Sequence, residues 1–391
     1  MRQSGQFLFP LMDRVLFGRP AAEAVLDEAD RLGARHVLLV ASRTLNTTTD
    51  AITRIAAVLG PRCVGVYDSV PQHTTRAAVV EAARIGIDRQ VDLVVAIGGG
   101  SVVDAAKMVL MCIEHGVTEA SGLDPFVVTA GPDGRPRPSA FREPRARLIV
   151  APSTLSGGEY NAGCLVTDEA RKVKHTFFHR GMMPRAIILD PDLAAHTPML
   201  LWLGSGTRAM DHGIEAISST AGNPLADAAI ARGLRLLRDG LPRTRDDFED
   251  LEARRMCQYG SWLSAFGLQA MVPMGASHAI GHVLGGTCDV PHYFCTPVMM
   301  PSVLRYNAPA AREAQAAIAE ALRAPDQAAA DAFERFVQDL GLPTRLSAVG
   351  VTPARFREIG EITMKEEIFA HTNPRPLRGP EDVIEILNLA A

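Results

Sequence analysis

The stretch VDLVVAIGGGSVVDAAKMVL, residues 91–110, decides the fold. An unbroken run of Val, Ile, Leu and Ala ends in Gly98, Gly99, Gly100 and Ser101, and the residues after it follow helical spacing through Asp104 and Lys107. A continuous apolar run fits a strand buried on both faces, which is the condition inside a parallel sheet covered by helices. Glycines at a strand-to-helix turn let backbone N–H groups approach a phosphate, and the helix N-terminus adds positive potential. The stretch is neither GxGxxG nor a Walker A loop. It is either a phosphate-binding turn or a tight β–α connection without a ligand.

The same pattern extends on both sides. HVLLVAS (36–42), CVGVYDS (63–69), RLIVAPST (147–154) and RAIILDP (185–191) are expected as buried strands. AAEAVLDEADRLG (21–33) and TRAAVVEAARIG (75–86) are helical patterns between them. Strand–helix alternation implies an open α/β sheet. A second turn, APSTLSGGEYN (151–161), follows a strand and offers Ser153, Thr154 and Ser156 to ribose, phosphate or nicotinamide. Two such turns at strand ends support a ligand, because ligands bind at the carboxyl ends of open sheets.

From about residue 195 the pattern becomes helical, as in 197–219, 224–241, 254–270 and 353–367. We therefore expect two domains: an α/β, Rossmann-like dinucleotide-binding domain over residues 1–193 and an all-helical catalytic or substrate domain over 194–391. The Pro-, Gly- and Arg-rich segment 129–147 is expected as a surface loop or hairpin.

The 391 residues carry a formal net charge of −4 with 47% apolar and 21% charged residues, as in an ordinary globular chain. No basic run marks nucleic-acid binding, no apolar run reaches the length of a membrane span, and MRQSGQFLFP lacks a signal-peptide core. Six cysteines are scattered without a CxxC pair. They are expected as reduced thiols in a cytoplasmic protein. Cys288 and Cys295 flank His292 but match no common zinc framework. The expected partners are a small-molecule substrate and a second copy in a homodimer, with neither nucleic acid nor membrane.

GASHAIGHVLGGTCDVPH, residues 275–292, holds three histidines, His278, His282 and His292. They admit a metal site, a proton-transfer site, or coincidence.

Taken together, GGGSVVDAAK (98–107), APSTLSGGE (151–159), RAIILDP, DHGIEA (211–216) and SHAIGHVLGGTCDVPH (277–292) make the chain resemble the iron-containing (group III) alcohol dehydrogenase family along nearly its whole length. HVLGGTCDVPH and TNPRPLRGPEDVIEIL (372–387) are similar to the maleylacetate reductase branch. The resemblance implies an NAD(P)-dependent oxidoreductase with its active site between the two domains. It also implies NAD(H) or NADP(H) on Gly98, Gly99, Gly100 and Ser101, with Asp104, Ser153 and Thr154 near the nicotinamide amide and Lys174 facing the cofactor. An exposed strand lysine is the alternative for Lys174.

The metal-dependent members bind iron or zinc through an aspartate, a histidine one helical turn later and two further histidines. The histidines match His212, His278 and His292, and His282 matches an extra histidine near the substrate. The aspartate position is Arg208. A guanidinium has no lone pair to offer a metal, so a metal is not expected. Asp211 lies about 100° around the helix from His212 by helical geometry and is not expected to replace the missing ligand.

Arg208 is expected to anchor a substrate carboxylate, or else to form a surface salt bridge to Asp211 or Glu215. His212, His278, His282 and His292 are expected to handle proton and charge. The leading reading is a metal-independent NAD(P)H-dependent reductase of maleylacetate or a related oxo-acid in aromatic-compound catabolism. The alternatives are a metal-dependent alcohol dehydrogenase, a zinc-dependent lyase of the dehydroquinate synthase type, and a non-catalytic nucleotide binder. At the end of the second strand Ser42, followed by Arg43, stands where an acidic residue enforces NAD, so both coenzymes are expected.

Overall fold

The computed structural model describes residues 7, 9–130, 136–137, 139–365 and 371–391. Most of MRQSGQFLFP, the middle of the 129–147 segment and residues 366–367 of the expected helical pattern lie outside the described residues. The described chain forms two units, Pro10–Thr197 and Pro198–Ala391, and the N-terminal segment up to Phe9 belongs with the second.

The first unit contains strands β1 (Arg14–Phe17), β2 (Val37–Ala41), β3 (Cys63–Tyr67), β4 (Leu93–Gly98), β5 (Thr129–Ala130), β6 (Pro136–Arg137), β7 (Arg147–Pro152), β8 (Gly163–Asp168), β9 (Val173–Phe178) and β10 (Ala186–Leu189). Its helices are α1 (Ala21–Arg31), α2 (Arg43–Thr48), α3 (Ala51–Leu59), α4 (Arg76–Asp88), α5 (Gly100–His115) and α6 (Pro191–Ala195). Six strands form a parallel sheet in the order β1-β10-β7-β4-β2-β3.

Successive residues of a strand face opposite sides, and both sides are covered. Leu38, Val40, Val94, Ala96, Leu148 and Val150 pack with α4 and α5. Val37, Leu39, Ala41, Val95, Ile97 and Ile149 pack with α1 and α3 on the other face. Burying each such side chain is worth about 1.5–3 kcal/mol, which explains the unbroken apolar runs.

The five expected strands are β2, β3, β4, β7 and β10, but β3 is an edge strand, with only Tyr67 buried, because a single neighbour covers it. Two features go beyond the expectation. β1 is a four-residue edge strand with partly exposed side chains, so it lacks a buried-strand signature. β8 and β9 pair as an antiparallel hairpin outside the main sheet. Within the described part of the 129–147 segment, β5 and β6 pair antiparallel. Thr197 closes this unit, its hydroxyl donating to the Ser153 carbonyl at 2.6 Å.

The second unit is helical throughout its described residues. It comprises α7 (Met199–Ser218), α8 (Pro224–Asp246), α9 (Leu251–Ser264), α10 (Phe266–Gln269), α11 (Ala276–Thr287), α12 (His292–Asn307), α13 (Arg312–Ala321), α14 (Ala329–Asp339), α15 (Phe356–Thr363) and α16 (Pro380–Leu389). Seventeen of the twenty residues of α7, Trp202 through Ser218, are buried. A Cβ at Gly213 would meet Ile230 of α8 at 2.7 Å, so glycine there allows the two helices to approach closely. Phe7 stacks on Phe266 with ring centroids 6.0 Å apart and ties the N-terminal segment to this unit. Among the described residues no helix is long and apolar enough to cross a membrane.

Candidate active site

Each unit gathers its own set of the expected residues. In the α/β unit, Gly99 is the N-cap of α5, a 16-residue helix that follows directly on β4. A side chain on any of the three glycines would fill the turn. At Gly98 (φ 156°) a Cβ would meet Val102 at 2.9 Å and Ser42 at 3.2 Å. At Gly99 it would meet Thr154 at 3.2 Å, and at Gly100 the Ser156 hydroxyl at 3.1 Å. Ser42, the glycine turn, Thr154 and Ser156 therefore share one place, where the two expected turns come together. Ser153 continues the sheet, its N–H donating to the Gly98 carbonyl at 2.9 Å. The Ser156 hydroxyl is buried without a hydrogen-bond partner. An open backbone cradle at a helix N-terminus, lined by hydroxyls, fits the pyrophosphate of a dinucleotide.

Asp104 lies one turn into α5 and accepts from the Leu165 N–H at 3.3 Å. Burial raises its carboxyl to about 6, with Lys107 and Lys174 opposing. Lys107 is fully buried, and its ammonium donates to the carbonyls of Gly158, Asn161 and Gly163 and to the Asn161 side chain at 2.7–3.2 Å. It stitches α5 to the second turn.

Lys174, on β9, has its Nζ 2.9 Å from His73 Nδ1. The backbone N–H of His73 in turn donates to Ser101 Oγ at 3.3 Å. His73 and Thr74 have φ of 70° and 42°, an uncommon conformation for non-glycine residues. His73 was not singled out from sequence, because the loop that holds it has no motif and its contacts lie 28 and 101 residues away.

In the helical unit, α7 presents Arg208, Asp211, His212 and Glu215 at spacings of three, four and seven residues, the pattern of a helix's apolar stripe. All four are buried, none more than 6% exposed. Ser277, His278 and His282 come from α11, and His292 and Thr296 from α12. The imidazoles form a row, with ring centroids 4.9 Å apart for His212–His278, 6.3 Å for His278–His282 and 6.0 Å for His282–His292.

Asp211, about 100° around the helix from His212, nevertheless joins this cluster. At this level α7 is enclosed on every side, so a turn of about 100° from His212 still points inward. The Asp211 carboxylate is fully buried. Its Oδ2 accepts from Thr296 Oγ1 at 2.6 Å, Ser277 Oγ at 2.9 Å and Arg208 Nη1 at 3.1 Å. The salt bridge of Arg208 is thus real but buried, not on a surface.

Glu215 accepts from the backbone N–H groups of Gly275 at 2.7 Å and Ser277 at 2.6 Å, and from His278 Nδ1 at 2.7 Å. His278 Nδ1 also lies 3.4 Å from Asp211 Oδ1. Burial and Arg208 push the His278 imidazole down, but Asp211 and Glu215 prevail and its pKa is raised. Burial, with His278 and Arg208 nearby, drives His212 well below the usual histidine range. Asp211 is held below the usual carboxylate range, against its burial, by His278 and Arg208. Arg208 and the Nδ1 side of His278 thus face Asp211 and Glu215, so neither buried carboxylate is left without a partner.

Asp211, Glu215 and His278 also bring ligand-capable atoms within 4.8 Å of one another. Their donor chemistry fits a divalent ion poorly: Asp211 Oδ2 and both Glu215 oxygens already receive donors, only Asp211 Oδ1 lacks one, and a guanidinium stands among them. The set that the resemblance implies has the same defect, with Arg208 in place of its one anionic ligand. None of the six cysteines is in a disulfide, and among the described residues none joins a potential metal cluster.

The comparisons agree with both units. The family described as iron-containing alcohol dehydrogenase matches residues 13–191, and its C-terminal domain matches residues 203–391. The chain is 31% identical over 386 residues to a maleylacetate reductase of Burkholderia cepacia, covering 97% of this chain and 96% of that protein. It is 30% identical over 370 residues to one from Pseudomonas sp. (strain P51), covering 94% and 93%. The crystal structure of maleylacetate reductase from Rhizobium sp. strain MTP-10005 superposes with a TM-score of 0.82 at 26% identity, over 100% of this chain and 98% of that one. The chain belongs to the iron-containing alcohol dehydrogenase family, as an NAD(P)-dependent oxidoreductase near the maleylacetate reductase branch.

Proposed function

We propose that the protein is a metal-independent NAD(P)H-dependent reductase of maleylacetate or a related oxo-acid. The observation that carries the reading is Arg208. Among the described residues its hydrogen bonds all run from Nη1, to Asp211 and at 3.5 Å to Thr296. That pairing fixes the guanidinium plane and leaves the Nε–Nη2 edge for a side-on carboxylate contact. The similarity to maleylacetate reductases supports the same substrate class.

Bound reduced nicotinamide supplies the hydride. Gly98, Gly99, Gly100 and Ser101 would hold the pyrophosphate, and Ser42, Asp104, Ser153, Thr154, Ser156 and Lys174 the remainder of NADH or NADPH. Arg208 binds and orients the substrate anion. His278, held by two carboxylates, delivers the proton from Nε2. His212, neutral, and His282 and His292 line the path beside it.

A metal-dependent alcohol dehydrogenase is the second reading. His212 Nδ1 and His278 Nε2 favour it, because both are buried without a hydrogen-bond partner and a cation could take them. The fixed charge of Arg208 opposes it.

The test is oxidation of NADH and NADPH by the purified protein with maleylacetate and with an uncharged aldehyde, each with and without chelator. The expected result is turnover of the keto-diacid with either coenzyme that persists in chelator. Activity confined to the aldehyde, abolished by chelator and restored by iron or zinc, would move the assignment to the second reading.

A further inference from the structure

We propose that Glu215 is a positioning residue of this site: it sets the tautomer of His278, so that Nδ1 carries a proton and Nε2 is the working nitrogen. The inference rests on the reductase reading for what Nε2 does, but not for which nitrogen is protonated.

Three donors converge on the Glu215 carboxylate from one end of α11: the N–H groups of Gly275 and Ser277, and His278 Nδ1. An ionised carboxylate only accepts, so the ring nitrogen facing it must be the donor. Asp211 Oδ1, 3.4 Å from the same nitrogen, acts in the same sense. The other ring nitrogen, Nε2, is buried and makes no hydrogen bond in the protein. An imidazole anchored at one nitrogen by carboxylate, with the other left free, is an oriented acid or base.

Capping α11 does not by itself require an anion. The N–H of Ala276, between the two that Glu215 takes, goes to the neutral side chain of Asn373 at 3.2 Å. Asn373 is held in turn by Asn307 and by the Arg375 carbonyl. Asn373 therefore shares the capping of this helix end, while the His278 contact belongs to Glu215. A neutral amide in place of Glu215 has one acceptor oxygen for three donors; with its N–H2 at the position of Oε2, which accepts from both Gly275 and His278, Nδ1 becomes an acceptor and the proton moves to Nε2.

The experiment uses the full chain with ¹⁵N-labelled histidine, comparing wild type, Glu215→Gln and Asn373→Ala by NMR without substrate and then by steady-state kinetics on the substrate the wild type reduces. In the wild type the His278 Nδ1 is expected to carry a proton; in Glu215→Gln that proton is lost and Nε2 is protonated instead. Glu215→Gln is expected to lower kcat by roughly tenfold to a hundredfold, the usual penalty for removing such an orienting partner, with KM for NAD(P)H unchanged. Asn373→Ala is expected to lower the melting temperature while keeping the wild-type tautomer and kcat. A wild-type spectrum with the sole His278 proton on Nε2 overturns the proposal whether or not either variant folds. So does a folded Glu215→Gln with unchanged kcat, or an equal loss of kcat in Asn373→Ala. If the wild type reduces no oxo-acid, the functional reading fails, and the spectra still decide the tautomer.

Discussion

The two units build their sites from different material. In the α/β unit the glycine turn is made of backbone: what matters at Gly98, Gly99 and Gly100 is that no side chain stands there. In the helical unit the cluster on α7, α11 and α12 is made of side chains, and every buried charge in it is answered by another. A backbone site tolerates change around it and fails when its space is filled. A charged side-chain site fails when any member is removed, because the partner is left buried and unpaired.

That contrast can be broken at its strongest point, His278. His278→Ala is expected to lower kcat by roughly a hundred- to ten-thousandfold, as for loss of a general acid, with dinucleotide affinity intact. Stopped-flow binding and turnover together check this; a parallel loss of dinucleotide affinity would show that the two sites are not separable in this way.

Arg208→Ala comes next. It removes the fixed cation beside Asp211 and leaves that buried carboxylate to His278 and two hydroxyls, so it is expected to cost about 3 kcal/mol in unfolding free energy, and Arg208→Ala combined with Asp211→Ala is expected to recover part of that loss. In kinetics the single variant should lose about 2–3 kcal/mol in kcat/KM on an acidic substrate relative to an uncharged aldehyde. An unchanged acid-to-aldehyde ratio would reduce Arg208 to a brace for α7.

Glu159 tests whether the α/β unit also holds a badly answered charge. It is buried, its Oε2 has no hydrogen-bond partner, and burial raises its carboxyl from 4.5 to about 7 despite Lys107. Because the folded value is the higher one, no penalty exists at low pH. Stability is then lost as pH rises from the unfolded to the folded value, and the loss levels off above it. Glu159→Gln does not titrate, so it is expected to gain about 2–3 kcal/mol over wild type near neutral pH and almost nothing in acid. Urea unfolding at about pH 4 and about pH 8 measures the difference; a gain independent of pH would mean that the carboxyl is solvated.

The smallest effect is expected at Gly98→Ala, where the new Cβ meets Val102 at 2.9 Å. Dinucleotide Kd should rise roughly tenfold to a hundredfold, about 1.4–2.7 kcal/mol, with the histidine cluster unaffected. Equal binding by the variant would remove the glycine turn from the dinucleotide site.

Much of this was legible before any coordinates. Central strands such as β4 and β7 are buried on both faces, and that burial writes itself into consecutive residues. β1 is an edge strand of four residues, exposed at Arg14 and Phe17, and it leaves no such trace. Family resemblance pointed to Arg208 and the four histidines. It did not point to Glu215 as more than a salt-bridge partner, nor to His73, whose contacts are with Ser101 and Lys174.

By itself, the sequence determined the open α/β sheet, the helical second half, the glycine turn and an arginine one helical turn before His212, because periodicity and local motif are properties of neighbouring residues. Only the tertiary structure decided that Asp211 faces inward, that Arg208 is neutralised within its own helix, and that Glu215 reaches across 63 residues to hold His278. A buried charge takes its counter-charge from whatever element packs against it, and that choice is made by packing, not by position in the chain.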